Sequence, residues 1–189
     1  MAFDPRGSGH STTAFWFLYS HEPLGPDYLR RLFLEAGLIL SRDFRQPVDW
    51  LSAGKYLLCY ACQGVEEGHG QGLPVDTLTH PLKEGTYLAP RGSVVALINR
   101  APHPNAARVF INWLLSREGQ LAFQKMNALE GSGADSLRVD IAKGDVPPRY
   151  RRREGAGYFI QDVTERIRRL PQMRKLIDEL LAERERRKN

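Results

Sequence analysis

The chain has 189 residues, 42% of them apolar, which is enough for a buried core and excludes wholesale disorder. The net charge of +5 permits an acidic partner, but the basic residues gather in Arg149-Tyr-Arg-Arg-Arg153 and Arg184-Glu-Arg-Arg-Lys188, which read as solvated faces. No apolar run is long enough to span a membrane, and Met1-Ala-Phe-Asp-Pro-Arg6 lacks the charged and apolar regions of a signal peptide, so the chain as written is expected in the cytoplasm.

In chain order, Asp4-Pro-Arg-Gly-Ser-Gly-His-Ser11 is a glycine-bearing loop that runs into an apolar helix, Thr12 to Tyr19. Small residues let amides at a helix start face a ligand, and the helix dipole favours an anion there. Arg6 offers a bidentate fork to a carboxylate or phosphate, and Gly7, Ser8, Gly9, His10 and Ser11 complete the candidate site. The same residues also suit a plain helix cap through Ser8 or Ser11. Pro26 opens a second helix with Leu29, Leu32, Phe33 and Ala36 on one face, and Gly37 closes it. Leu38 to Leu40 reads as a short strand, and Asp43 caps a helix over 44 to 53 that Gly54 ends.

A strand is expected over 56 to 62, carrying Cys59-Tyr-Ala-Cys62. That spacing fits a redox pair or half a zinc site. Residues three apart in a strand point to opposite faces, and no second CxxC or HxxxH supplies further ligands, so the pair reads as buried and structural. Gln63 to Gly72, with four glycines, is expected to be a loop, and Leu73 to Leu78 and Gly85 to Leu88 to be extended. Ser93 to Ile98 is β-branched and bounded by Gly92 and Asn99, the pattern of a buried strand.

Pro102 and Pro104 forbid helix upstream of Asn105, which can cap a helix starting there. Ala106, Val109, Phe110, Trp113 and Leu114 lay an apolar stripe along that helix, and Ser116 can cap another carrying Leu121, Ala122 and Phe123. A Gly/Pro-rich connection leads to a last helix begun by Pro171 with Met173, Leu176, Ile177, Leu180 and Leu181 on one face, which must dock on something. Alternation of strands and helices predicts an α/β fold with a mostly parallel sheet.

No GxSxG elbow, P-loop or HExxH is present, and the five histidines at 10, 21, 69, 80 and 103 are scattered, so the chain reads as a binding module and not an enzyme, with no cofactor or metal. A basic nucleic-acid-associated protein using Arg149 to Arg153 is an alternative, but aromatics interleaved on a sheet face are missing. An inert truncated remnant is another.

The Asp4-Pro-Arg start with Ser8-Gly9, the helix 44 to 53 followed by Gly54-Lys-Tyr56, Gly72-Leu-Pro-Val75 and above all NRAPHPNAARVFINWLLSREGQ at 99 to 120 resemble one family. They are similar to extracellular solute-binding proteins of bacterial ABC importers, in the class II periplasmic-binding-protein group that contains ferric-ion-binding proteins. The resemblance covers roughly residues 3 to 150 and implies an α/β lobe two over 3 to 88 and, over 89 to 189, a crossover to a partial lobe one plus C-terminal helices. It implies capture of a small anionic or polar solute between lobes, delivery to ABC permease subunits, and a periplasmic location. Family members place the ligand at the Ser-Gly start of the first lobe-two helix, here Ser8 and Gly9. The tyrosine pair of the iron-binding members falls on Gln63-Gly-Val65, so the phenolates that ferric iron favours are missing, and Gln63 and Tyr87 join Arg6 as expected contacts. The family's N-terminal part of lobe one has no counterpart before Phe3, and the apolar faces at Val94, Leu97, Phe110 and Trp113 are therefore expected to be partly exposed.

Overall fold

The computed structural model describes residues 1–7, 9–78, 85–87, 95–129, 135–148, 151–153, 155–160 and 162–188. The chain is a mixed α/β protein, rich in helix with little sheet. It divides into two compact units, one made of Met1–Ala89 with Gly157–Asn189 and the other of Pro90–Ala156. The sequence division at 88/89 differs from this in one respect, because residues 157–189 belong with the first unit.

In the first unit, β1 (Ala2–Phe3) pairs in parallel with β2 (Leu40–Ser41), and Ala2 also bridges Tyr60 in parallel. A second parallel pair joins β3 (Thr86–Tyr87) to β4 (Tyr158–Phe159). The parallel expectation therefore holds on a smaller scale than the apolar runs suggest. Of the expected strand 56–62 only Tyr60 is bridged, and 73–78 is irregular. The apolar residues of that last segment serve differently: Val75 is buried with Val48 and Val65, and Leu73 packs alongside.

Helix α1 (Gly9–Ser20) forms the centre of the unit. A helix that is apolar nearly all round must be enclosed, and every residue from Ala14 to Tyr19 is buried. Helix α2 (Gly25–Leu34) lays Leu29 and Phe33 against it, with the Phe15 and Phe33 rings edge to face at 5.8 Å. Helix α3 (Gln46–Ser52) follows a turn in which Asp43 Oδ1 accepts from the amides of Arg45 and Gln46, so Asp43 acts three residues before the helix begins. Gly54, at a φ of 67°, ends it in the left-handed region that glycine enters without strain. The expected loop 63–72 contains a short helix, α4 (Val65–Gly70), held in place by Val65 in the small core and by His69, whose Nδ1 lies 2.9 Å from the Val75 carbonyl oxygen.

The last helix of the chain, α7 (Val163–Lys188), begins well before Pro171, which lies inside it. Its start is set by Asp162, whose Oδ1 accepts from the amides of Thr164 and Glu165. The apolar stripe expected from the sequence finds its partners here: Met173, Leu176, Ile177 and Leu180 are buried in one cluster with α1, α2 and Leu38. This burial is why residues 157–189 join the first unit.

In the second unit, α5 (Pro104–Leu115) and α6 (Arg117–Leu129) are consecutive helices. The α5 start is flanked by Pro104 rather than capped by Asn105, whose Oδ1 instead accepts from Arg108 at 3.2 Å. Ser116 does cap α6, its Oγ accepting from the Gly119 amide at 3.1 Å and donating to the Trp113 carbonyl at 2.6 Å. Gln120 Nε2 donates to the Leu114 carbonyl at 2.8 Å. A Cβ on Gly119 would lie 2.0 Å from the Trp113 carbonyl oxygen, so only glycine fits this junction. The Ser-x-x-Gly-Gln run is thus a helix–helix corner. Behind it, buried Gln124 donates to the Ala142 carbonyl at 2.8 Å, beside buried Ile141 and Val146. No residue of α5 is buried, and Phe110 and Trp113 are 56% and 43% exposed. Leu97 is exposed as well, and Val95 to Ile98 take no strand, whereas Ser93 and Val94 lie outside the described residues.

Candidate functional site

The segment before α1 is organised around Asp4, which is 3% exposed. A buried carboxylate needs donors, and the neighbouring residues supply them. Arg6 donates its amide to Asp4 Oδ1 at 2.9 Å and its Nε and Nη2 to the two carboxylate oxygens at 3.0 and 2.8 Å. Arg42, from the turn after β2, donates its Nε to Oδ2 at 2.9 Å. Burial alone pushes the Asp4 carboxyl up, but the hydrogen bonds from Arg6 and Arg42 outweigh it and bring its pKa to about 2. The Arg6 guanidinium also approaches Asp178 of α7 at 3.6 Å and is held above its ordinary range, chiefly by the Asp4 hydrogen bond.

The rest of the loop is fastened to the same place. The Gly7 amide donates to the Asp4 carbonyl at 2.9 Å, Ser11 Oγ to that carbonyl at 2.9 Å, and Thr12 Oγ1 to the Pro5 carbonyl at 2.6 Å. A Cβ at Gly7 would come within 3.2 Å of the Phe3 ring, which explains the small residue. Gly9 begins α1 in open space, Gly9 and His10 are exposed, and the first turn of α1 carries no acidic residue. The positive end of the helix therefore has no carboxylate of its own first turn to answer it.

Of the sequence-derived site residues, Arg6, Gly7, Gly9, His10 and Ser11 lie together, but they do different things. Ser8 lies outside the described residues. Ser11 is fully buried and its hydroxyl donates inward, so it anchors the loop instead of facing solvent. Arg6 directs its fork at Asp4. Gln63 is exposed, directly after Cys62, and no hydrogen bond among the described residues joins it to the loop. Tyr87 packs against Phe17 with ring centres 5.2 Å apart, and burial pushes its hydroxyl pKa up. Phe17 is eight residues beyond Gly9, so Tyr87 sits roughly 12 Å along the helix from its start. Tyr87 is accordingly a core residue.

Arg42 is a contributor that the sequence alone does not reveal. Its side chain is 66% exposed while its Nε is fixed on Asp4, which leaves the far end of the guanidinium at the surface next to the loop. The signal is thin, since Arg42 is one of several arginines and only the parallel pairing of β1 with β2 brings it to Asp4. Among the described residues, no group of three His, Cys, Asp or Glu side chains is placed to hold a metal ion. The arrangement offers an exposed helix start with the outer end of the Arg42 guanidinium beside a loop that Arg6 and Asp4 hold in place, which suits an anion or a carboxylate-bearing solute.

No family model, curated protein or solved structure matches the chain.

Proposed function

We propose that the protein is a solute-binding component of an ABC-type importer, that it is not an enzyme, and that a small anionic or polar solute docks at the start of α1. The observation that carries this reading is the exposed Gly9 and His10 helix start beside Arg6 and Arg42, both oriented by buried Asp4. The amides of the first turn and the dipole supply attraction that does not titrate near neutrality. Arg42 takes the ligand-facing role expected of Arg6, and Arg6 sets the loop. The resemblance of residues 99 to 120 to class II solute-binding proteins supports the importer assignment, with permease subunits as partners. No helix among the described residues is long and apolar enough to cross a membrane, in keeping with a component that a separate permease serves.

Amide chemical shifts test the site. Titration with inorganic phosphate, sulfate, citrate and free amino acids should move the Gly9 and His10 amide resonances in a saturable way for one class of anion. Shifts confined to other regions, or none at all, would reject α1 as the site.

A further inference from the structure

Cys59 and Cys62 are joined by a disulfide, with their Cα atoms 5.8 Å apart, and the bond encloses only Tyr60 and Ala61. A continuous strand would place these sulfurs on opposite faces. The backbone instead leaves the extended region at Ala61, where φ is 57°, a left-handed conformation that alanine rarely takes. That turn brings the two sulfurs to the same side.

Three features separate this bond from a structural staple. Both cysteines are half-buried and neither is enclosed in a core. The ring is so short that closing it removes little entropy from the unfolded chain, and the bond contributes little to holding the fold. Finally, it encloses a residue with several long-range links. Tyr60 donates its amide to the Met1 carbonyl at 3.0 Å and accepts from the Phe3 amide at 3.1 Å, and its hydroxyl donates to the Ala14 carbonyl of α1 at 2.8 Å. The amino terminus in turn donates to the Leu58 carbonyl at 2.8 Å. The disulfide fixes the backbone on the far side of the residue that ties β1 to this segment.

We propose that Cys59–Cys62 is a reversible thiol–disulfide exchange site, reduced by a dithiol, whose state controls how firmly Tyr60 is held against β1. A thiolate of the dithiol attacks one sulfur, forming a mixed disulfide and releasing the other cysteine as a thiolate that takes up a proton. The second thiol of the reductant then displaces the remaining cysteine, so the reductant leaves as a disulfide and the protein holds two thiols. Two electrons and two protons pass to the protein, and a disulfide oxidant reverses the exchange. Once the ring is open, Ala61 returns to extended backbone, Gln63 moves with it, and the Tyr60 links to Met1 and Phe3 loosen. Whether α1 binds a solute has no bearing on this exchange.

The full chain is equilibrated in dithiothreitol buffers of stepped oxidised-to-reduced ratio, alkylated and weighed, with amide exchange followed at Phe3 and Tyr60. The protein should gain two alkyl groups reversibly within the buffer range, and exchange at both amides should quicken about tenfold on reduction. The Cys59→Ser, Cys62→Ser double variant should exchange like the reduced form in every buffer. A bond that stays closed in excess reduced dithiothreitol, or amides that exchange equally in both states, would overturn the proposal.

Discussion

The Asp4 carboxylate receives both Nε and Nη2 of Arg6, at 3.0 and 2.8 Å, and this one pair changes what the loop before α1 can do. With its Nε and Nη2 both on Asp4, Arg6 positions the loop and adds little attraction for a ligand, whereas Arg42 gives Asp4 only its Nε and keeps the rest of its guanidinium at the surface. The Asp4 pair should be visible in acid. Its carboxyl is held at about 2 against an ordinary 3.8, so its contribution is full above about pH 4 and is lost as the pH falls towards 2. That contribution is about 2 kcal/mol, since a tenfold change in proton affinity corresponds to about 1.36 kcal/mol. Asp4→Asn should lose a similar amount at pH 6, and its urea midpoint should vary less than that of the wild type between about pH 4 and pH 2.5.

Docking of α7 should depend on its second half. Ile177 is buried with the α1 and α2 side chains, and Ile177→Ala should cost about 2–5 kcal/mol in urea unfolding. Ile167, on the same helix but 71% exposed, should tolerate the same change within about 0.5 kcal/mol. Equal effects would mean that the buried stripe is not the docking face.

The α5–α6 corner makes a sharper demand. Gly119→Ala forces a Cβ to 2.0 Å from the Trp113 carbonyl oxygen and against the backbone of Trp113 and Leu114, so the corner must open at a cost of about 1–3 kcal/mol or more. Circular dichroism melting of the variant checks this, and an unchanged transition would contradict the corner geometry.

Exposed Val109, Phe110 and Trp113 should bind a dye that fluoresces on apolar surface and should drive self-association at high concentration. Phe110→Ser with Trp113→Ser should reduce both effects without loss of helix, because neither side chain is buried. Light scattering that is identical for the two proteins would count against this face as the cause.

Much of the helical fold is legible in the sequence because the signals are local. The all-apolar run from Ala14 to Leu18 dictates burial of α1, Ser116 caps α6, and the stripe from Met173 to Leu180 announces a docking face. Misreadings arise where one residue permits two roles. Pro171 fits a helix start but sits inside α7, and the Asp162-x-x-Glu165 spacing, a capping signal, marks the true beginning. Strands are read less well, since the apolar residues at 73–78 and 95–98 carry no record of whether any distant segment pairs with them. The site is the least legible part. Arg6 meets Asp4 only two residues away, but that Arg42 arrives beside it from the turn after β2 depends on parallel pairing of Ala2 with Leu40, which no local pattern encodes.

The solute-binding reading is tested most directly by placing a carboxylate where the anion is held to dock. Gly9 faces open space at the start of α1, so Gly9→Glu is accommodated sterically and its charge suits the helix dipole. Calorimetric titration with whichever anion shifts the Gly9 amide should show at least about a tenfold loss of affinity in Gly9→Glu, equivalent to about 1.4 kcal/mol, with an unchanged urea midpoint. Equal affinity in the two proteins, or no anion bound by the wild type, would contradict the account.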